Sequence, residues 1–254
     1  FTRLGIPVTL RGDEVTVYGR GLHGLRDYEG VLDAGNSGTT TRLLSGILAG
    51  QPFRSRLDGD ASLRRRPMGR VALPLTEMGA SITMTEGCCP MTIRGGALRG
   101  IRYALPVASA QLKSAVLLAG LYAEGQTTVI EPSPSRDHTE RMLEAFGCPV
   151  ARQGGEITVE RCAGLRGRGI SVPGDISSAA FLLAAGLLVP GSEITLTGVG
   201  INPTRTGILD VVRAMGGDLT EEGRHPDAGP DQEHRASPRP DEVAVHRRHT
   251  DAIT

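Results

Sequence analysis

Ser109-Ala110-Gln111-Leu112-Lys113-Ser114-Ala115-Val116-Leu117-Leu118-Ala119-Gly120-Leu121-Tyr122-Ala123-Glu124-Gly125, with Thr127-Thr128-Val129-Ile130 just beyond it, decides the fold. Small polar residues open an apolar helix, a glycine stops it, and a β-branched strand follows. The same order recurs over 38–50 with Ser55-Arg56-Leu57, and over 177–191 with Glu193-Ile194-Thr195-Leu196. A short strand is predicted ahead of each helix, at Gly30-Val31-Leu32, at Ile101-Arg102-Tyr103-Ala104-Leu105 and at Gly169-Ile170-Ser171-Val172.

The other half of the unit repeats as well. A helical run ends in glycine at Phe1-Thr2-Arg3-Leu4-Gly5, Leu75-Thr76-Glu77-Met78-Gly79, Leu143-Glu144-Ala145-Phe146-Gly147 and Val212-Arg213-Ala214-Met215-Gly216. Each of these glycines stands where a helix end calls for positive φ. Hairpins follow the first three: Val8-Thr9-Leu10 with Val15-Thr16-Val17, Ser81-Ile82-Thr83-Met84 with Met91-Thr92-Ile93, and Val150-Ala151 with Ile157-Thr158-Val159. The unit is strand, helix, strand, helix, strand, strand, with a period of about 70 residues. The fold class is therefore α/β, an α+β repeat. The chain enters in mid-helix at Phe1, which reads as a segment of a larger repeat protein.

The tail departs from this order. From Gly223 to Pro240 neither helical nor strand periodicity survives, and four of the six histidines lie beyond Glu222. Their irregular spacing argues against a metal site. Residues 223–254 are expected to be disordered or foreign to the repeat.

Composition narrows the functions. Lys+Arg and Asp+Glu balance at 28 each, so no global field draws the chain to nucleic acid or to an anionic membrane. Aromatics are only 3%, which leaves little for stacking bases and makes the core aliphatic. The apolar run over 179–190 is too short to cross a bilayer. Cys88, Cys89, Cys148 and Cys162 lack metal-ligand spacing and read as reduced thiols of a cytoplasmic protein.

Local chemistry points to anions. Asp33-Ala34-Gly35-Asn36-Ser37-Gly38-Thr39-Thr40-Thr41-Arg42 opens a helix through glycines and hydroxyls and adds a guanidinium in the first turns. An ordinary capped helix would look much the same, and this is not a Walker loop because no lysine follows at the required spacing. Arg64-Arg65-Arg66-Pro67 is either a solvated basic turn or a place where one arginine reaches an anion in two-pronged fashion. In the second unit Ser109 and Gln111 offer a hydroxyl and an amide, or simply a cap and an exposed side chain. Ser135-Arg136-Asp137-His138-Thr139-Glu140 opens the next helix, with Asp137 and Glu140 placed for capping. Matching positions in successive units suggest a binder or enzyme for phosphorylated, carboxylated small molecules.

At these residues the chain resembles the enolpyruvyl transferase family. The resemblance rests on five ordered motifs: 32–42, Asp58-Gly59-Asp60-Ala61-Ser62-Leu63-Arg64-Arg65-Arg66-Pro67-Met68, 105–114, 135–140, and Pro173-Gly174-Asp175-Ile176-Ser177-Ser178-Ala179-Ala180. It implies a fold of two similar domains, each of three β-α-β-α-β-β units. Residues 1–168 would be most of the first domain and 169–222 the start of the second. It further implies transfer of the enolpyruvyl group from phosphoenolpyruvate to the 5-hydroxyl of shikimate 3-phosphate, with release of phosphate, on the route to chorismate and the aromatic amino acids. No cofactor or metal is implied, and the intact protein would be a monomer. By the resemblance Gly38 and Arg66 contact phosphoenolpyruvate, Ser109 and Ala110 the shikimate phosphate, and Gln111 both. Arg136 falls at a further substrate contact, while Asn36, Thr39 and Arg42 support the loop.

The family's Lys-Ser pair and nearby arginine would precede Phe1, and its acid/base aspartate, Lys-Glu pair and later arginines would follow Glu222. The chain alone is therefore expected to be inactive. Two alternatives stand beside this reading. The branch that uses a UDP-N-acetylglucosamine acceptor carries a reactive loop cysteine, whereas Cys88 and Cys89 sit in a predicted hairpin. A non-catalytic anion-binding fragment is the other, and related repeats in RNA-terminal phosphate cyclases raise RNA as a ligand, against the neutral charge.

Overall fold

The computed structural model describes residues 1–222 and the backbone of residues 242–246. It divides into two units, Phe1–Arg168 and Gly169–Thr254.

In the first unit a hairpin of β1 (Val8–Arg11) and β2 (Glu14–Val17) precedes two copies of one motif. The first copy runs β3 (Val31–Asp33), α1 (Gly38–Ala49), β4 (Arg54–Asp58), α2 (Gly69–Glu77), β5 (Ser81–Thr85) and β6 (Cys88–Arg94). The second runs β7 (Arg102–Ala104), α3 (Ala110–Gly120), β8 (Thr127–Ile130), α4 (His138–Ala145), β9 (Ala151–Gln153) and β10 (Glu156–Val159). Their sheets have the same order, β3-β4-β6-β5 and β7-β8-β10-β9, with the first pair parallel and the others antiparallel. The repeat legible in the sequence is thus a repeat of topology.

Glycine closes the helical runs as expected: φ is +82° at Gly5, +117° at Gly79, +87° at Gly147 and +84° at Gly216. Only a residue without a Cβ adopts these values at no steric cost. α3 is apolar almost all round and accordingly lies in the core, with Leu112, Ala115, Val116 and Leu117 no more than 1% exposed. α1 packs on it at Gly46, where a Cβ would stand 2.1 Å from the carbonyl oxygen of Ala115. The two helices therefore touch backbone to backbone. This brings the first turns of α1 and α3 side by side. α3 ends at Gly120, short of the expected Gly125, because Tyr122 and Ala123 fold into turns onto Ala119 and Gly120.

The second unit holds α5 (Ile176–Leu188), β11 (Glu193–Thr197), α6 (Gly207–Ala214), β12 (Asp218–Glu222) and β13 (Glu242–His246). Its sheet order is β11-β13-β12, so β13 occupies the place held by β6 and β10 in the other copies. Two expectations need correction. Residues 242–246 are a strand, since Glu-Val-Ala-Val-His alternates well enough to pair antiparallel with both β11 and β12. The remaining residues of the tail, and the expectation of disorder there, lie outside the described residues. Residues 169–172 do not form a strand among the described residues: Ile170 is 55% and Val172 88% exposed, so little apolar burial favours pairing. Among the described residues a parallel bridge between Gly174 and Val199 alone marks the edge where β3 and β7 stand in the other copies.

Candidate functional site

Three pieces of the first unit converge at the start of α1. The loop ahead of α1 turns at Gly35, with φ +54°, and its amide donates to Asp33 Oδ1 at 2.8 Å. Ser37 then caps the helix, accepting from the Thr40 amide at 3.1 Å. This leaves Gly38, Thr39 and Arg42 in the first two turns. The second piece is the single turn of 3₁₀ helix Leu63–Arg65, which follows β4. Asp60 Oδ1 accepts from the Leu63 amide at 2.8 Å and starts that turn, leaving Arg66 extended at its end. The third piece is the start of α3, capped by Ser109 through the Leu112 amide at 3.4 Å.

Side chains join the three. Arg42 Nη1 donates to Gln111 Oε1 at 2.7 Å and Arg42 Nη2 to the Pro67 carbonyl at 3.1 Å. Gln111 Nε2 donates to Thr39 Oγ1 at 2.6 Å, so the amide bridges α3 to α1 twice. Arg66 Nη2 donates to Asn36 Oδ1 and, at 3.4 Å, to Ser62 Oγ. Both guanidiniums face Gly38: a Cβ there would stand 2.9 Å from Arg42 Nη1 and 3.3 Å from Arg66 Nη1.

The electrostatics of this cluster are one-sided. Burial, followed by the charges of Arg66 and Arg70, pulls the Arg42 guanidinium below its usual pKa. Among the described residues neither Arg42 nor Arg66 has a carboxylate within ion-pair distance. Two cations that repel each other, held by neutral oxygens, stand beside a residue with no side chain, and their positive charge is left for an anion to neutralise. Arg64 is the contrast. It meets Asp58 in a two-pronged pair at 2.9 and 2.7 Å, and that bond, ahead of the other effects, holds the Asp58 carboxyl below its ordinary pKa. Of the arginine triplet, Arg64 is spent on structure, Arg65 is exposed, and Arg66 alone enters the cluster.

The structure thus brings together Asn36, Gly38, Thr39, Arg42, Arg66 and Gln111, with Ser109 and Ala110 in the turn that carries Gln111. Arg136 is exposed ahead of α4, and no hydrogen bond among the described residues ties it to the cluster. Asp137 and Glu140 do not cap α4: Asp137 accepts from Arg141 at 2.7 Å, and Glu140 is buried against Lys113 at 2.6 Å. Sequence reasoning missed that buried pair and the Asp58–Arg64 bond. The signal for the first was Lys113 itself, the only lysine, set within an apolar helix. The tail histidines lie outside the described side chains. No helix among the described residues is long and apolar enough to cross a membrane.

A sequence model of the family described as EPSP synthase (3-phosphoshikimate 1-carboxyvinyltransferase) matches residues 1–248. The chain belongs to the EPSP synthase family. Its relatives include the 3-phosphoshikimate 1-carboxyvinyltransferase of Brevibacillus brevis, 58% identical over 221 residues, which are 86% of this chain and 52% of that protein. The enzyme of the same name from Geobacillus kaustophilus is 59% identical over 221 residues, with the same coverage of 86% and 52%. Among solved structures, EPSP synthase from Acinetobacter baumannii superposes with a TM-score of 0.83 at 47% identity, covering 96% of this chain and 54% of that one. The chain spans about half the length of the relatives it matches. The repeated α/β units read from the sequence are those of this family's fold.

Proposed function

We propose that this chain carries the substrate-binding half of an enolpyruvyl transfer, from phosphoenolpyruvate to the 5-hydroxyl of shikimate 3-phosphate. The observation that supports it is the convergence of Arg42 and Arg66 on Gly38, with no carboxylate among the described residues to neutralise them. Phosphoenolpyruvate brings the phosphate and carboxylate that such a pair lacks, and the bare Gly38 lets it approach the α1 backbone. Gln111, hydrogen-bonded to both Arg42 and Thr39, stands between that anion and the start of α3. Ser109, Ala110, Gln111 and Arg136 would take the phosphorylated acceptor.

In the reaction the acceptor hydroxyl adds through its oxygen to C2 of phosphoenolpyruvate, an enol phosphate, and gives up its proton while C3 gains one. Loss of a C3 proton and of the phosphate on C2 then gives the enol ether product. Charge gathers on phosphate and carboxylate oxygens in the adduct, where fixed guanidiniums stabilise it. The proton transfers need another kind of group. Guanidinium, amide and hydroxyl side chains are poor proton shuttles at neutral pH, and the cluster holds nothing else. The 254-residue chain is therefore expected to bind both substrates yet release no phosphate from them.

The test is a thermal-shift series on the purified chain with phosphoenolpyruvate, shikimate 3-phosphate and UDP-N-acetylglucosamine. A raised melting temperature with the first two and none with the nucleotide sugar is the expected result. Stabilisation by the nucleotide sugar alone would contradict the assignment.

A further inference from the structure

Lys113 is 1% exposed on α3, two residues beyond Gln111. Its ammonium lies 3.0 Å from Glu131 Oε2 and 2.6 Å from Glu140 Oε1, on side chains only 7% and 2% exposed. Glu131 follows β8 and Glu140 lies in α4, so one cation ties α3 to both ends of the segment that joins them. The ties continue outward. Ser135 donates its hydroxyl to Glu131 Oε1, and the Ser114 and Thr139 hydroxyls share a hydrogen bond of 2.7 Å. Arg136 lies between these anchors, exposed, in a segment whose prolines at 132 and 134 leave few amides for a regular element.

A buried ion triad is a poor means of gaining stability, because desolvating three charges cancels most of their attraction. Here the arrangement also leaves Glu140 Oε2 buried without a partner among the described residues. Apolar side chains would pack this space at less cost. What a triad supplies is a fixed register between the elements it joins. The cation also stands out: this chain uses arginine at every other basic position, whereas here a compact ammonium with three rotatable donors meets two carboxylates.

We propose that Lys113 is a positioning residue for acceptor binding. Through Glu131 and Glu140 it holds the Arg136 segment in register with the α3 turn that carries Ser109, Ala110 and Gln111. This rests on the reading above that those residues take shikimate 3-phosphate. The triad touches no part of the Arg42–Arg66 cluster through the hydrogen bonds described, so the donor substrate should be indifferent to it.

The experiment compares the 254-residue chain with Glu131→Gln, which keeps the volume, and with Lys113→Met. Calorimetry gives Kd for shikimate 3-phosphate and phosphoenolpyruvate, thermal melts follow folding, and hydrogen exchange follows the amides of positions 131 and 141, which bond to the Gly155 and Asp137 carbonyls at the two ends of the segment. The expected result is faster exchange at those amides, acceptor Kd raised at least tenfold, and donor Kd within twofold of the parent. Glu131→Gln gives this answer even if Lys113→Met fails to fold. Acceptor affinity within twofold of the parent in a folded Glu131→Gln chain would overturn the proposal. So would equal loss of both ligands in step with the melting temperature, since a purely structural staple would do that. If the unsubstituted chain binds no shikimate 3-phosphate, the acceptor assignment fails and this proposal falls with it, an outcome separable from the others because it needs no variant.

Discussion

Gly38→Ala separates folding from anion binding. The new methyl carbon would start 2.9 Å from Arg42 Nη1 and 3.3 Å from Arg66 Nη1, where ordinary van der Waals contact begins near 3.4 Å. Arg42 must withdraw by about half an ångström, and it is pinned by Gln111 at 2.7 Å and by the Pro67 carbonyl at 3.1 Å. Weakening one hydrogen bond to a charged group costs about 1.5–3 kcal/mol. If that loss falls on the bound state, affinity drops by roughly 10- to 150-fold. Folding responds in the other direction. Alanine is favoured over glycine in a helix by up to about 1 kcal/mol, and Gly38 opens α1. The assay is calorimetric titration with phosphoenolpyruvate beside urea unfolding of the same samples. Weaker binding by an equally or more stable protein is expected. Affinity within twofold of the parent would refute the claim that the two guanidiniums close around this position.

Asp58→Asn should destabilise the chain at neutral pH and less so in acid. The carboxyl is held below its ordinary pKa by Arg64, so its contribution is present above the unfolded-state value and is lost as pH falls through the folded one. Because the Arg64 side chain is 56% exposed, the difference at pH 7 is expected to be modest, about 1 kcal/mol or less. Urea unfolding at pH 7 and pH 3 checks this, and an equal gap at both would contradict it. Burial, with Cys162 beside it, pushes the Cys148 thiol up to about 12, so alkylation with iodoacetamide at pH 8 should spare Cys148 in the folded chain. Peptide mapping that finds Cys148 modified as fast as the half-buried Cys88 would contradict its placement.

The repeat was legible because each copy carries the same punctuation. Glycines with positive φ close the helices, and hydroxyl or carboxylate caps at Ser37, Ser109 and Asp175 open them. These signals are local, so one sequence shows them. What a strand pairs with is not local. Gly169–Val172 has the alternation of a strand, yet it finds no ladder, while Glu242–His246 finds two. The site followed the same division. Gly38, Arg66 and Gln111 stood out by motif, but the sequence could not assign the three arginines of 64–66 different tasks. That depends on Asp58, at the end of β4, lying within reach of Arg64. Glu140 looked like a cap because it follows Asp137 by three residues. Its burial against Lys113 depends on the packing of α4 near α3, which no spacing rule contains.

The measurement that bears most directly on the account is a phosphorus-31 NMR titration of phosphoenolpyruvate with the parent chain, with Arg66→Met and with the neighbouring Arg65→Met. Both substitutions remove one positive charge from the same turn, but only Arg66 faces Gly38, and Arg65 is exposed. Arg65→Met is expected to bind as the parent does, and Arg66→Met at least about tenfold more weakly, the loss of a charged hydrogen bond. Equal affinities for the two variants would contradict it, because binding would then follow net charge and not the cluster at Gly38.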